Sequence, residues 1–216
     1  MVSELKGKVE VICSTPVAEA VIELAGRECH QSETDAETRG EFIKRLIKMG
    51  HTSVLEHASI TFRLSEMSRA CSHQLVRHRI ASYSQRSQRF TKTKEGENFV
   101  VPQSIVENPF ALAILERSYS ASIMAYNQLI ELGIKQEDAR YVLPAGATTS
   151  IVVTMNFRSL RNFFEQRLSK KAQREIRMFA EEMLSCVMKI APSVFDDIWK
   201  EYYKETGAAW MNQTAG

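Results

Sequence analysis

Apolar and polar positions alternate or recur in ways that predict most of the elements of this chain. From Ala58 to Leu64, Ile60, Phe62 and Leu64 fall on one side and Ser59, Thr61 and Arg63 on the other, the period of a half-buried strand. Val9–Ile12 and the β-branched run Ile151–Met155 read as further strands. Helical spacing dominates elsewhere. Phe42, Ile43, Leu46 and Ile47 share one face of a helix over 37–49, closed by Gly50. An earlier helix is predicted with Ser14 or Thr15 as cap, Pro16 at its first position and Gly26 as its stop. Thr52–His57 reads as a turn or single helical turn, and Ser65 is expected to cap a helix along Met67, Ala70 or Cys71, Leu75 and His78. The longest helix opens at Asn108-Pro109, runs from Phe110 to about Leu132 and stops at Gly133. Shorter helices follow over 136–142, 159–168 and 171–190, the last capped by Ser169 and ended near Pro192. Residues 91–98 read as a polar loop and 206–216 as a loosely held tail. The expectation is a helix-rich α+β single domain over 1–216 with a small, mostly antiparallel sheet.

Composition narrows the class without naming a function. With 44% hydrophobic and 25% charged residues among 216, the chain has the make-up of a globular domain and excludes a disordered or collagen-like one. The four cysteines lie far apart and form no C-x-x-C, so reduced thiols and a cytoplasmic location are expected. No apolar run reaches the length of a membrane span, and the first residues show no secretory h-region. A net charge of +2 gives no general affinity for nucleic acid or anionic membranes.

Charge is nevertheless uneven. Between Glu66 and Glu95 there is no acid, yet Arg69, Arg77, Arg79, Arg86, Arg89, Lys92 and Lys94 occur there, interleaved with Ser82, Tyr83, Ser84, Gln85, Ser87 and Gln88. Arginine in preference to lysine suits planar, bidentate capture of phosphate or carboxylate. A second basic cluster, Arg158 to Arg177, reads equally well as a solvated helix face. His51, Glu56 and His57 form no H-E-x-x-H, and His73 and His78 fall on different helix faces, so no metal is expected. There is no P-loop, G-x-G-x-x-G or G-x-S-x-G; a nucleotide would have to be held by side chains.

Those neighbours change the reading of His78, which alone would be a packed core histidine. Arg77-His78-Arg79-Ile80-Ala81-Ser82-Tyr83-Ser84-Gln85-Arg86-Ser87-Gln88-Arg89 fits R-H-R-x-x-S-x-x-x-x-S-x-R at every fixed position. That pattern resembles the signature of the flavin-dependent thymidylate synthases, the ThyX family. Three more segments are similar to the family's: Gly50-His51-Thr52-Ser53-Val54-Leu55-Glu56-His57, Ala139-Arg140-Tyr141-Val142-Leu143-Pro144, and Asn156-Phe157-Arg158-Ser159-Leu160-Arg161-Asn162-Phe163 with Arg167 beyond. The matches run from about residue 40 to 180.

The resemblance implies a cytoplasmic homotetramer, with sites shared between subunits, that makes dTMP from dUMP. Methylenetetrahydrofolate would be the carbon donor, FAD the redox carrier and NADPH the reductant. By the same resemblance, Ser53, Arg77, His78, Arg79, Gln85, Asn156, Arg158 and Asn162 would bind FAD, with His51 and Glu56 near the flavin. Gln74, Arg77, Gln85, Arg86, Ser87, Gln88, Arg89, Arg140 and Arg167 would hold dUMP, and Arg167 would be the catalytic residue. Gln85 stands where some members carry Glu. An arginine beside uracil N3 or O2 favours the N3-deprotonated form and so raises electron density at C5. Ser87 has no visible base and is read as a positioning residue rather than a nucleophile. No nucleic acid partner is implied. The reading from another class is a basic nucleic-acid-binding module using 69–94. A yellow, flavin-absorbing protein supports the enzyme, and colourless protein with salt-dependent DNA binding supports the module.

Overall fold

A computed structural model describes residues 2–4, 7–28, 33–90 and 99–206. The expected loop 91–98 and tail 207–216 lie outside them. In chain order the strands are β1 (Val2–Glu4), β2 (Lys8–Ser14), β3 (Ser59–Ser68), β4 (Ser82–Gln85), β5 (Phe99–Val101) and β6 (Thr148–Asn156). The helices are α1 (Ala18–Glu28), α2 (Arg39–Lys48), α3 (Arg69–Leu75), α4 (Gln103–Val106), α5 (Pro109–Glu131), α6 (Gln136–Ala139), α7 (Phe157–Arg167), α8 (Arg174–Met188) and α9 (Pro192–Thr206), with 3₁₀ turns at Thr52–His57 and Arg140–Val142. The α+β class and the dominance of helix are as the periodicities predict. None of the described helices is long and apolar enough to cross a membrane.

Four strands form one sheet in the order β2-β3-β6-β4, and β1 pairs with β5, in parallel, in another. The Phe157 N–H donates to the Ala58 carbonyl and the hydroxyls of Thr61 and Thr154 meet at 2.9 Å, so β3 and β6 run antiparallel. The chain groups into two compact units, residues 1–10 with 62–153 and residues 11–61 with 154–216.

In the first unit, Phe99 stacks on Tyr119 with ring centroids 4.3 Å apart, and Val101 and Ala147 complete the cluster. Gly146 is pressed into it. A Cβ there would lie 2.0 Å from the Tyr119 hydroxyl and 3.2 Å from the Val100 carbonyl. That hydroxyl is itself committed to the Val100 carbonyl at 3.2 Å. Gly146→Ala is therefore expected to destabilise the protein by about 2 kcal/mol, since a buried tyrosine cannot yield a methyl's width without breaking its hydrogen bond. Urea denaturation tests this; a change under about 0.5 kcal/mol would show that the cluster relaxes freely.

In the second unit α7, α8 and α9 enclose Phe157, Phe163, Phe164 and Phe195, with Phe195 edge-on to Phe157 and Phe164 at 5.3 and 5.8 Å. Five boundaries differ from the sequence expectation. Gly26 lies inside α1, not at its end: a Cβ would stand 2.7 Å from Leu46 and 3.0 Å from Phe42, so close helix packing, not termination, calls for it. Pro16 precedes α1, which begins at Ala18 after Val17 takes a left-handed φ of 44°. Ser65 and Met67 belong to β3. Glu66 has φ 57° and the inward series Ile60, Phe62, Leu64 resumes out of phase at Met67, the mark of a bulge that prolongs the strand. Ser68 is the true cap of α3, accepting the Cys71 N–H at 2.9 Å. Ser169 accepts the Lys171 N–H at 3.3 Å in a local turn, and α8 starts later, at Arg174. Finally, Pro192 does not merely stop a helix but opens α9, as proline at a first helical position does.

Candidate active site

In the first unit the signature segment, 77–89, follows α3 and runs through the turn 76–81, β4 and residues 86–89. Tyr83 pins the turn: its hydroxyl lies 2.6 Å from the His78 carbonyl and 3.0 Å from that of Leu75. His78 is buried, while its neighbours Arg77 and Arg79 are exposed and make no ion pair among the described residues. Gln85, on β4, donates through Nε2 to the Ser72 hydroxyl at 2.8 Å and to that of Thr149 at 3.3 Å. The Ser72 hydroxyl already donates to the Arg69 carbonyl at 2.9 Å, so it takes a donor from Gln85 that a carboxylate could not supply.

Arg86 is tied to β6 twice. Its main-chain N–H donates to Ser150 at 2.9 Å, and its Nη2 to the Thr148 carbonyl at 2.8 Å. Beside it, Arg69 at the start of α3 donates its main-chain N–H to the Ala147 carbonyl at 3.0 Å. Burial, and then the positive charges of Arg140 and Arg86, hold the Arg69 guanidinium below its ordinary pKa. Like charges are thus gathered where an anion would relieve their repulsion. Arg69 appears in the acid-free segment, but its sequence environment gave it no role; only its position between Arg86 and Arg140 does. Ser87 accepts the Arg89 N–H at 3.2 Å, and no basic side chain is paired with its hydroxyl among the described residues. Arg89 gives both Nε and Nη2 to Glu137, and Arg140 gives Nε to the Glu137 carbonyl. Gln74 on α3 and Gln88 are half-buried.

The second unit holds the remaining candidates. Ser53 sits exposed in the 3₁₀ turn 52–57, after His51, whose side chain makes no capping bond. Arg158 and Asn162 stand one turn apart on the outer face of α7, opposite its buried phenylalanines. Arg158 pairs with Glu56 at 2.6 Å and Asn162 accepts from Gln166 at 2.9 Å. Asn156 is the N-cap of α7, its Oδ1 accepting the Ser159 N–H at 2.8 Å, which leaves the amide N–H groups as donors. Arg167 ends α7 half-buried. The second basic cluster does not behave as one surface. Arg161 is only 9% exposed and forks onto Asp197 at 2.7 and 2.6 Å, with a further bond to the Val194 carbonyl.

The residues present fit a diphosphate-bearing cofactor. Arg77 and Arg79 offer guanidinium donors without an ion-pair partner among the described residues, on either side of a buried histidine and in a stretch without acids of its own. Fold and site together define an α+β protein that gathers arginines where an anion would relieve their repulsion. The family model described as "Thymidylate synthase complementing protein" matches residues 10–193, and the chain belongs to that family. It is similar to the flavin-dependent thymidylate synthase of Geobacter sulfurreducens, 45% identical over 200 residues that cover 88% of this chain and 86% of the relative. It is also similar to that of Saccharolobus solfataricus, 42% identical, covering 87% and 75%. Among solved structures it resembles a UMP/dUMP methylase, PolB, from Streptomyces cacaoi. The crystal structure bound with 5-Br dUMP superposes with a TM-score of 0.79 at 24% identity, covering 93% of this chain and 95% of that one.

Proposed function

We propose that this protein is a flavin-dependent thymidylate synthase that reductively methylates dUMP to dTMP. Methylenetetrahydrofolate is the carbon donor, FAD the carrier and NADPH the reductant. The observation that carries the proposal is that Arg69 and Arg86 are tied to neighbouring backbone at Ala147 to Ser150, and that the charges of Arg140 and Arg86 both act on the Arg69 guanidinium, which an anionic ligand would relieve. When bound, the flavin supplies the electron pair for reduction. Arg77 and Arg79 hold its diphosphate, with Ser53, His78, Gln85, Asn156, Arg158 and Asn162 around it and His51 and Glu56 nearby. Arg158 must then exchange or share its Glu56 partner, an exposed pair that costs little to open. Gln74, Arg77, Gln85, Arg86, Ser87, Gln88, Arg89 and Arg140 hold dUMP, and Arg167 stabilises negative charge on the uracil ring. The assembly is a cytoplasmic homotetramer whose sites draw on more than one subunit, with no nucleic acid partner.

Tritium release from [5-³H]dUMP tests the reaction. Release is expected only with FAD, NADPH and methylenetetrahydrofolate all present. Absence of release from flavin-loaded protein under these conditions would reject the proposal.

Ser87 acts by position. Its hydroxyl already accepts the Arg89 N–H, and alcohols need a paired base to attack. Ser87→Ala is expected to weaken dUMP binding by roughly tenfold and still turn over, as the loss of one hydrogen bond implies. Complete inactivity at saturating dUMP, together with a covalent adduct on the parent serine, would restore the nucleophile.

A further inference from the structure

The acid-free segment is not without an acid in space. Glu137, on α6, reaches Arg89 across 48 residues, and its Oε2 accepts from Nε at 3.0 Å and from Nη2 at 2.8 Å. The same residue's main-chain carbonyl accepts from Arg140 Nε at 3.0 Å. One residue thus touches two arginines, one through its side chain and one through its backbone. We propose that Glu137 is a positioning residue for nucleotide binding, its carboxylate holding one edge of the Arg89 guanidinium so that the opposite edge faces the ligand. The inference rests on the reading above that Arg89 holds dUMP.

The donor count supports this geometry. A guanidinium carries five N–H groups, one on Nε and two on each Nη. Glu137 takes the Nε donor and one of Nη2, which leaves the second Nη2 donor and both on Nη1, in the same plane but along its other edges. Those three suffice for a bidentate grip on a phosphate or carboxylate. The Phe90 ring, 5.4 Å from the Arg89 guanidinium carbon, supports the same orientation. Without Glu137, a long arginine side chain that is about half exposed would be free to sample many rotamers, and binding would have to freeze them. A carboxylate beside an anion site also repels the anion. Both members of the pair are partly exposed, so solvent screens that repulsion, whereas it does not reduce the entropy of ordering.

A double-mutant cycle on the flavin-loaded protein, read by calorimetric titration with dUMP, tests the assignment. Glu137→Ala is expected to weaken dUMP roughly five- to twentyfold, with the loss in KM rather than kcat. Glu137→Gln, which keeps an acceptor for Arg89, should recover part of it. Because Glu137 acts through Arg89, adding Glu137→Ala to Arg89→Ala should cost nothing further. Its contact with Arg140 is main-chain and survives the substitution, so its effect should multiply with that of Arg140→Ala. Undiminished or tighter dUMP binding by Glu137→Ala overturns the proposal, as does a double variant weaker than Arg89→Ala by the full single-variant factor. Parental affinity in Arg89→Ala itself would instead remove Arg89 from the nucleotide site, and the inference with it.

Discussion

Replacing Arg167 by alanine is expected to leave a folded, flavin-binding protein that has lost about 90–99% of its turnover. Uracil C5 is a poor nucleophile until charge accumulates in the ring, and a guanidinium beside N3 or O2 stabilises that charge. A charge-assisted hydrogen bond is worth about 1.5–3 kcal/mol, and one felt more strongly in the transition state than in the ground state appears in kcat at tenfold per 1.4 kcal/mol. Arg167 is half-buried at the end of α7, where partial desolvation strengthens its field. Arg167→Lys keeps the charge but not the planar fork and should recover only part of the rate. Turnover is to be measured beside flavin absorbance and dUMP affinity. A flavin-loaded Arg167→Ala protein working within about twofold of the parent would show that the ring is activated by another group.

The second large effect is on stability. Arg161 lies three residues from Arg158 in the same basic run, yet it is built into the junction of α7 with α9. Its guanidinium satisfies both Asp197 oxygens and the Val194 carbonyl. Arg161→Ala leaves that carbonyl and part of the Asp197 carboxylate without their partner and is expected to cost about 3 kcal/mol. Burial raises the Asp197 pKa, but the hydrogen bond and charge of Arg161 outweigh it, and the carboxyl titrates below its ordinary value of 3.8. The stabilisation from this shift is therefore complete above the ordinary aspartate pKa and is lost as pH falls through the lower folded value. Urea titrations at neutral pH should show the loss, and the acid limb of stability against pH should be shallower in the variant. A difference below about 1 kcal/mol would mean that α9 is held by its apolar face alone.

The two arginines illustrate what could be read from the chain. Strand β3, helix α2 and helix α5 were visible because each writes its own periodicity or cap into adjacent residues: Ile60-Phe62-Leu64, Phe42-Ile43-Leu46, and Asn108-Pro109. Helix α9 was not, because Pro192 can end one helix or begin the next, and the connection 189–191 is too short to mark the change. The bulge at Glu66 hid the end of β3 for a similar reason. A shift of one residue in an alternating pattern looks locally like the start of a different period.

The sequence by itself determined the fold class, the acid-free arginine segment and the motif that places the chain in its family. All three depend on residues close together in the chain, where spacing alone decides which side chains share a face or a turn. Tertiary structure decided which charges do what. It supplied Arg89 with Glu137 from 48 residues away and Gln85 with Thr149 from 64, and it separated buried Arg161 from exposed Arg158 within one cluster. The physical reason is that desolvation and partner geometry set the work of a charge. Both depend on which distant backbone the order β2-β3-β6-β4 and the docking of α7 on α9 bring alongside it, and no local period encodes that.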